Sequence, residues 1–270
     1  MRILLTGARG FVGSGLIKAW PEMIPAPSLR GADEARIARI VGETEPDVII
    51  HTAAISDTRE CERDPEASRE ANVMIPVYLA KACAGRKLIC FSSDQVYTGC
   101  AGEGPYTEED ANPANVYGKH KLEMEKRVLD LRPDAVMLRA EWMYEYPVTS
   151  HNYLEATLGR DRTPAFSSGE YRGVTWLREV AENMPAVYRM PGGVYNFGSE
   201  TDLSAYQLTV EFLRYLGRDA KVADCAPGHN LWIRNDRARA QGVRFSTALD
   251  ALKKCADAYH LRETPQERNP

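Results

Sequence analysis

Three glycines follow the first apolar run of this 270-residue chain at a fixed spacing. Residues 6–13 read TGARGFVG and come directly after residues 3–5, which are predicted to form a strand. In a strand–turn–helix unit, the first glycine permits a tight turn, the second lets the backbone approach a diphosphate, and the third lets the helix pack on the strand. The N-terminus of that helix attracts the pyrophosphate. The stretch therefore predicts a dinucleotide site formed by Gly7, Arg9, Gly10, Phe11, Val12 and Gly13.

Apolar, β-branched runs alternate with helical patterns along most of the chain. The predicted strands cover residues 3–5, 23–26, 47–51, 88–91, 135–138 and 193–197. The predicted helices cover residues 13–20, 34–43, 65–84, 117–129, 175–183, 203–216 and 247–259. This alternation predicts an α/β fold with a doubly wound parallel sheet of the Rossmann type.

The character of the sequence changes after about residue 145, because residues 146–172 are polar and rich in turn formers. We therefore predict a dinucleotide-binding domain in residues 1–146, to which residues 171–200 return. A smaller, interleaved C-terminal substrate lobe is predicted in residues 147–170 and 201–270. Its tail, residues 262–270, is expected to be frayed.

Charge and composition restrict the class of partner. The net charge of −4 argues against nucleic acid or an anionic membrane as a partner, and no apolar run reaches the ~20 residues of a membrane helix. The short apolar start leads into a glycine turn and does not resemble a signal peptide. Six cysteines without a CxxC pair and five dispersed histidines predict reduced thiols and no metal site. We expect a cytoplasmic protein.

The choice of cofactor depends on the residues that follow the second predicted strand. An acid there would bind the ribose hydroxyls of NAD(H), but Asp33 is better interpreted as the start of the next helix. Arg9 and Arg30 could hold a 2′-phosphate through charge-assisted hydrogen bonds, or they could be solvated surface residues. We predict NADP(H), with NAD(H) as the alternative.

A tyrosine and a lysine with helical spacing are the candidate catalytic pair. Tyr117 and Lys121 are four residues apart and share one face of a predicted helix. A nearby ammonium and an oxidised nicotinamide would both lower the pKa of the phenol, so that Tyr117 could act as an acid–base. Ser93 follows a predicted strand and could hold a substrate oxygen. Ser93, Tyr117 and Lys121 are the predicted catalytic residues.

These stretches together resemble an extended short-chain dehydrogenase/reductase, and most closely the dTDP-4-dehydrorhamnose reductase family. The similarity includes TGARGFVG, PDVIIHTAAISD (residues 46–57), SSDQVYTG (residues 92–99), NPANVYGKHKLEMEK (residues 112–126) and VMLRAEWMY (residues 136–144). The resemblance implies that Thr52, Ala53, Ala54 and Asn72 lie beside the cofactor, as do Tyr117 and Lys121. It also implies that the substrate side contains Asp94, Arg139, Trp142 and Arg172.

The resemblance implies reduction of a nucleotide-linked 4-keto-6-deoxysugar by NAD(P)H, with Tyr117 protonating the new alkoxide. Two alternatives stay open. One is an epimerase of the same superfamily, which needs the same three residues and a tightly held NAD. The other is a non-catalytic, NADP-binding subunit similar to the regulatory subunit of methionine adenosyltransferase. For a reductase or an epimerase, the expected partner is a small-molecule nucleotide sugar. A homodimer is a further possibility.

Overall fold

The structure is a computed structural model that describes residues 1–148, 152–159 and 163–263. Its strands are β1 (Ile3–Thr6), β2 (Ile24–Pro25), β3 (Val48–His51), β4 (Lys87–Ser93), β5 (Val136–Ala140), β6 (Trp142–Tyr144), β7 (Ala165–Phe166), β8 (Val174–Trp176), β9 (Gly193–Phe197) and β10 (Ala223–Asp224). Its α-helices are α1 (Phe11–Ala19), α2 (Glu34–Thr44), α3 (Thr58–Arg63), α4 (Pro65–Arg69), α5 (Ile75–Ala82), α6 (Val116–Leu131), α7 (Tyr153–Leu158), α8 (Leu177–Val187), α9 (Ala205–Leu216), α10 (Asp236–Ala240) and α11 (Ala248–Ala258).

The central sheet has six parallel strands in the order β2-β1-β3-β4-β5-β9. From β1 the chain moves outward to β2 and then returns to add β3 on the opposite side, so the winding reverses at β1. In such sheets a ligand binds in the crevice beyond the carboxyl ends of the strands at this reversal. The predicted doubly wound fold is confirmed.

Helices cover both faces of the sheet because neighbouring residues of each strand point in opposite directions. On β1, Leu5 packs in the cluster that includes α1 and α8, whereas Leu4 packs in the cluster that includes α2, α5 and α6. Both side chains are fully buried. The strands are therefore continuous apolar runs, as burial on two faces requires.

A third apolar cluster lies beyond the carboxyl end of the sheet. The short pair β6–β8 and the helices α7, α9 and α11 contribute its buried side chains, among them Tyr144, Tyr153 and Phe212. Ala238 and Val243 pack instead with the cluster of the sheet, although their positions follow residue 201. The division into two domains stays a prediction.

The observed elements differ from the predicted ones at several points. The helix predicted over residues 65–84 is divided by a π-helical turn at Glu70–Met74. Thr175, predicted to be helical, belongs to β8, and α8 begins at Leu177. The predicted frayed tail lies almost wholly outside the described residues. No helix in the described ranges is long and apolar enough to span a membrane.

Candidate active site

The turn between β1 and α1 is built around glycines that no other residue can replace without a backbone shift. Gly7 has φ +73°, and a Cβ there would lie 2.6 Å from the backbone nitrogen of Ala53. A Cβ at Gly13 would collide with the backbone of Gly7 and Ala8. Gly10 is exposed and caps α1 through its backbone. The turn is thus pressed against the end of β3, with the N-terminus of α1 left open.

A cavity of about 1030 Å³ lies beside this turn. Of the predicted cofactor residues, its lining includes Gly7, Arg9, Gly10, Arg30, Ala53 and Ala54. Thr52 precedes Ala53 in the sequence and is not part of the lining, and its hydroxyl donates a hydrogen bond to the Thr6 carbonyl over 2.8 Å. The side chains of Phe11 and Val12 pack against the core of the sheet, so these residues can contribute only backbone N–H groups at the start of α1.

Both positively and negatively charged side chains line the cavity. Arg9 and Arg30 are exposed, and neither guanidinium has a hydrogen bond or ion pair with another described residue. Asp33 caps α2 by accepting a hydrogen bond from the Arg36 backbone nitrogen over 2.8 Å, which agrees with its assignment to that helix. Two carboxylates that sequence reasoning missed, Glu60 and Glu70, also line the cavity.

Asn72 shapes the cavity wall from behind. Its side chain is fully buried in the π-helical turn, accepts a hydrogen bond from the Ile55 backbone nitrogen over 3.0 Å, and donates one to the Ile55 carbonyl over 2.9 Å. It also donates to Ser68 Oγ over 3.2 Å. Asn72 therefore fixes the loop after β3, and Ile55 rather than Asn72 lines the cavity.

The packing of α6 against the end of β4 brings the three predicted catalytic residues together. Asn115 caps α6 and donates a hydrogen bond to Gln95 Oε1 over 2.9 Å. Gly118 lies so close to the Gln95 carbonyl group that a Cβ would overlap it. This contact presses the helix face that carries Tyr117 and Lys121 onto the turn that follows Ser93.

Within this cluster Ser93 and Lys121 each have hydrogen-bond partners. Ser93 Oγ accepts a hydrogen bond from the Gln95 backbone nitrogen over 3.2 Å and donates to Asp94 Oδ1 over 3.1 Å. Lys121 Nζ donates to the Phe91 carbonyl over 2.8 Å and lies 5.7 Å from the centre of the Tyr117 ring. All of these side chains are buried.

Burial controls the protonation of the cluster. It raises the pKa of Tyr117, the charge of Asp94 raises it further, and the hydrogen bond with Ser93 opposes both. Burial also lowers the pKa of Lys121 to about 8. The expected lowering of the Tyr117 pKa is therefore wrong for the protein alone, because loss of solvation outweighs any favourable charge. The phenol keeps its proton at neutral pH.

His51 ends β3 within the same buried region. Its Nδ1 lies 2.7 Å from Thr6 Oγ1, and its Nε2 has no hydrogen-bond partner among the described residues. Burial, with a smaller contribution from the charge of Lys121, lowers the pKa of His51 to about 3. His51 is therefore neutral and adds no charge to the site.

Three of the four predicted substrate residues meet beside Ser93. Arg172 donates to Asp94 Oδ2 from Nε over 2.9 Å, and its Nη2 lies 2.8 Å from the same oxygen. The Arg172 guanidinium also lies 5.3 Å from the centre of the Trp142 ring. The carboxylate and the indole thus hold the arginine in a defined position at the carboxyl edge of the sheet.

The fourth residue, Arg139, is a structural residue, which corrects the prediction of a substrate contact. It forms a buried ion pair with Glu125 at 2.7 Å, and its Nη1 donates to Tyr97 Oη over 2.8 Å and to the Glu108 carbonyl over 2.7 Å. Each guanidinium nitrogen already has an acceptor. Arg139 does not face the substrate side because its side chain points from β5 toward Glu125 of α6.

Comparisons with known proteins identify the family of the chain. Residues 1–239 match the model of the RmlD substrate binding domain family. The chain belongs to this family. A protein of Streptomyces antibioticus named a probable dTDP-4,6-dihydroxy-2-methyloxan-3-one 4-ketoreductase is 29% identical over 81% of this chain and 78% of its own length. The methionine adenosyltransferase 2 subunit beta of Danio rerio is 34% identical over 53% of this chain and 48% of its own length.

Solved structures share the whole fold. A dTDP-4-dehydrorhamnose reductase of Clostridium acetobutylicum has a TM-score of 0.84 at 24% identity, covering 96% of this chain and all of its own. The Bacillus anthracis dTDP-4-dehydrorhamnose reductase in complex with NADP has a TM-score of 0.82 at 19% identity, covering 95% and 98%. The Thermus thermophilus UDP-glucose 4-epimerase in complex with NAD has a TM-score of 0.75 at 19% identity, covering 94% and 98%. The prediction of an enzyme in the extended short-chain dehydrogenase/reductase superfamily is confirmed.

We predict that Arg139→Ala lowers the free energy of unfolding by about 3–5 kcal/mol, because it leaves the Glu125 carboxylate buried without its partner. Urea denaturation measures the change. The control is Arg237→Ala, which removes an exposed ion pair with Glu109 and should cost less than about 1 kcal/mol. Equal effects of the two substitutions would contradict the structural role of Arg139.

We also predict that Gly118→Ala destabilises the protein by about 1–3 kcal/mol, because the new methyl group forces α6 away from Gln95. Gly42→Ala is the matched control, since Gly42 lies in α2 with nothing within 4 Å of a Cβ position. That control should be neutral or stabilising by up to about 1 kcal/mol. A stable Gly118→Ala protein would show that the close helix contact is unnecessary.

Proposed function

We propose that this protein is an NAD(P)H-dependent reductase of a nucleotide-linked 4-keto-6-deoxysugar. The observation that carries the proposal is the buried cluster of Ser93, Tyr117 and Lys121 at the end of β4, on the same carboxyl edge of the sheet as the glycine turn that lines the cavity. Sugar-nucleotide reductases among the relatives support the substrate class.

The residues beside the cavity fit a dinucleotide. The glycine turn and the open N-terminus of α1 would hold the pyrophosphate, since backbone N–H groups and the helix dipole favour an anion there. Lys121 would hold the ribose next to the nicotinamide. When bound, NAD(P)H supplies the hydride that reduces the keto carbon.

The protein side of the reaction follows from the protonation of the cluster. The Ser93 hydroxyl would hydrogen-bond the keto oxygen and fix its position. Tyr117 keeps its proton because of burial, so it is ready to donate to the oxygen as negative charge develops there. The ammonium of Lys121, 5.7 Å from the ring centre, would stabilise the phenolate left behind.

NADP(H) is the proposed cofactor. Arg9 and Arg30 line the cavity with guanidinium groups that no other described residue binds, and a 2′-phosphate would pair with them. NAD(H) is the second candidate, because the Glu60 and Glu70 carboxylates also line this cavity and can accept hydrogen bonds from ribose hydroxyls.

A regulatory subunit is the alternative that a specific observation favours, namely the identity with a methionine adenosyltransferase subunit. A binding subunit has little need of Ser93, Tyr117 and Lys121 together, so the intact cluster supports an enzyme. An epimerase would use the same cluster without consuming NAD(P)H. A homodimer and a cytoplasmic location stay predictions.

We predict that Tyr117→Phe lowers kcat at least about 100-fold, because it removes the proton donor. NADPH oxidation with a panel of nucleotide-linked 4-keto-6-deoxysugars, followed by absorbance, measures the loss. The affinity for NADPH, from a fluorescence titration, should stay within about threefold.

Tyr78→Phe is the control, since its hydroxyl has no hydrogen bond to another described residue, and it should be as active as the parent protein. If Tyr117→Phe kept a normal kcat, another group would have to be the proton donor. If the unmodified protein bound NADPH but turned over no sugar of the panel, the reductase assignment would fail.

We predict that Arg30→Ala weakens the binding of NADPH at least about tenfold and leaves NADH binding nearly unchanged, because only NADPH carries the 2′-phosphate. Arg39→Ala, an exposed position of α2, is the control. The dissociation constants of both cofactors are measured by calorimetry. An equal effect on the two cofactors would remove Arg30 from 2′-phosphate recognition.

A further inference from the structure

Glu141 is a buried acid at the substrate edge that the proposed mechanism does not use. It follows Ala140, which ends β5 in register with Ser93 of β4, and it precedes Trp142. The residue is only 5% exposed. It therefore lies at the same carboxyl edge of the sheet as the catalytic cluster.

The surroundings of Glu141 are shaped to hold its carboxyl group. Thr175 Oγ1 donates a hydrogen bond to Glu141 Oε2 over 3.0 Å, and that hydroxyl accepts one from the Ser199 backbone nitrogen over 2.9 Å. A Cβ at either Gly173 or Gly198 would overlap the carboxyl oxygens. The carboxyl thus fills a space between β8 and the end of β9 that only glycines leave open.

Among the residues that the structure describes, the charged groups that face Glu141 are Asp94, Arg172 and Glu200, and none of them forms an ion pair with it. Arg172 uses both Nε and Nη2 on Asp94. Glu200 is paired with Arg239 at 2.5 Å.

An isolated carboxylate is strongly disfavoured in such a place, so the neutral acid is the stable form. Burial raises the pKa of Glu141 well above its usual range, and the charge of Asp94 adds to this effect. The hydrogen bond from Thr175 and the charge of Arg172 oppose it.

We propose that Glu141 is a positioning residue of the substrate site, which as a neutral acid leaves Arg172 on Asp94 and when ionised draws Arg172 away. Two carboxylates would then compete for one guanidinium, and the arrangement of Arg172 between Asp94 and the Trp142 ring would loosen. Arg172 and Trp142 are the expected substrate contacts, so we expect KM to rise with pH while kcat changes less.

The kinetic part of this inference rests on the proposed function, whereas the movement of Arg172 does not. Two measurements keep these apart. The first is the intrinsic tryptophan fluorescence of the protein without substrate, titrated from neutral to alkaline pH. Movement of the Arg172 guanidinium away from the Trp142 ring alters this emission. The Trp142→Phe variant identifies the part of the emission that comes from Trp142.

We expect a fluorescence transition at alkaline pH that both Trp142→Phe and Glu141→Gln abolish. Glu211→Gln, which removes an exposed carboxylate of α9, should leave the transition unchanged. A transition that persists in Glu141→Gln would overturn the proposal, and so would its absence from the unmodified protein. This result holds whether or not the protein reduces a sugar.

The second measurement is KM for the sugar nucleotide against pH. We expect KM of the unmodified enzyme to rise up to tenfold per pH unit above the transition, whereas Glu141→Gln keeps the KM of neutral pH throughout. Lys121 titrates in both proteins, so only the difference between them reports on Glu141. Identical profiles would assign Glu141 a merely structural role and overturn the proposal.

Discussion

The parallel pairing of β1, β3, β4 and β5 brings four strand ends to one edge of the sheet. Each end carries a part of the candidate site. The glycine turn follows β1, Thr52–Ala54 follow β3, Ser93 ends β4, and Glu141 follows β5. Because the winding reverses at β1, no crossover helix covers the crevice between the first two of these ends. The architecture thus leaves a cavity at the glycine turn, on the edge of the sheet that also carries Ser93 and Glu141.

Close backbone contacts turn this shared edge into a site of fixed geometry. Gly7 lets the cofactor turn touch Ala53, and Gly118 lets α6 touch the turn after Ser93. The same closeness excludes water from Tyr117, Lys121 and Glu141. Burial therefore raises the pKa values of Tyr117 and Glu141 and lowers that of Lys121, which favours the neutral form of each. Burial of these polar groups costs stability, and the proposed binding and proton transfer would use the same groups. The fully paired Arg139 and Glu125 show the opposite case, a buried charge pair with every nitrogen bonded.

The parts of the site that the sequence predicted are those fixed by local rules. The glycine turn follows from backbone sterics, and the common face of Tyr117 and Lys121 follows from helical spacing. The direction of Arg139 could not be predicted, because it depends on which face of β5 meets α6. Glu60, Glu70 and Glu141 were missed because tertiary packing alone brings them to the cavity or the crevice. The predicted direction of the Tyr117 pKa shift was wrong, because the burial that raises this pKa depends on the fold and cannot be inferred from the motif.

The most direct test of the account is isotope transfer. The protein is incubated with NADPH carrying deuterium at the transferable position and with a nucleotide-linked 4-keto-6-deoxysugar, and the product is analysed by mass spectrometry and NMR. We expect one deuterium per product molecule, at carbon 4 of the sugar, with equal consumption of NADPH. Conversion of a sugar nucleotide without deuterium in the product and without consumption of NADPH would contradict a reductase.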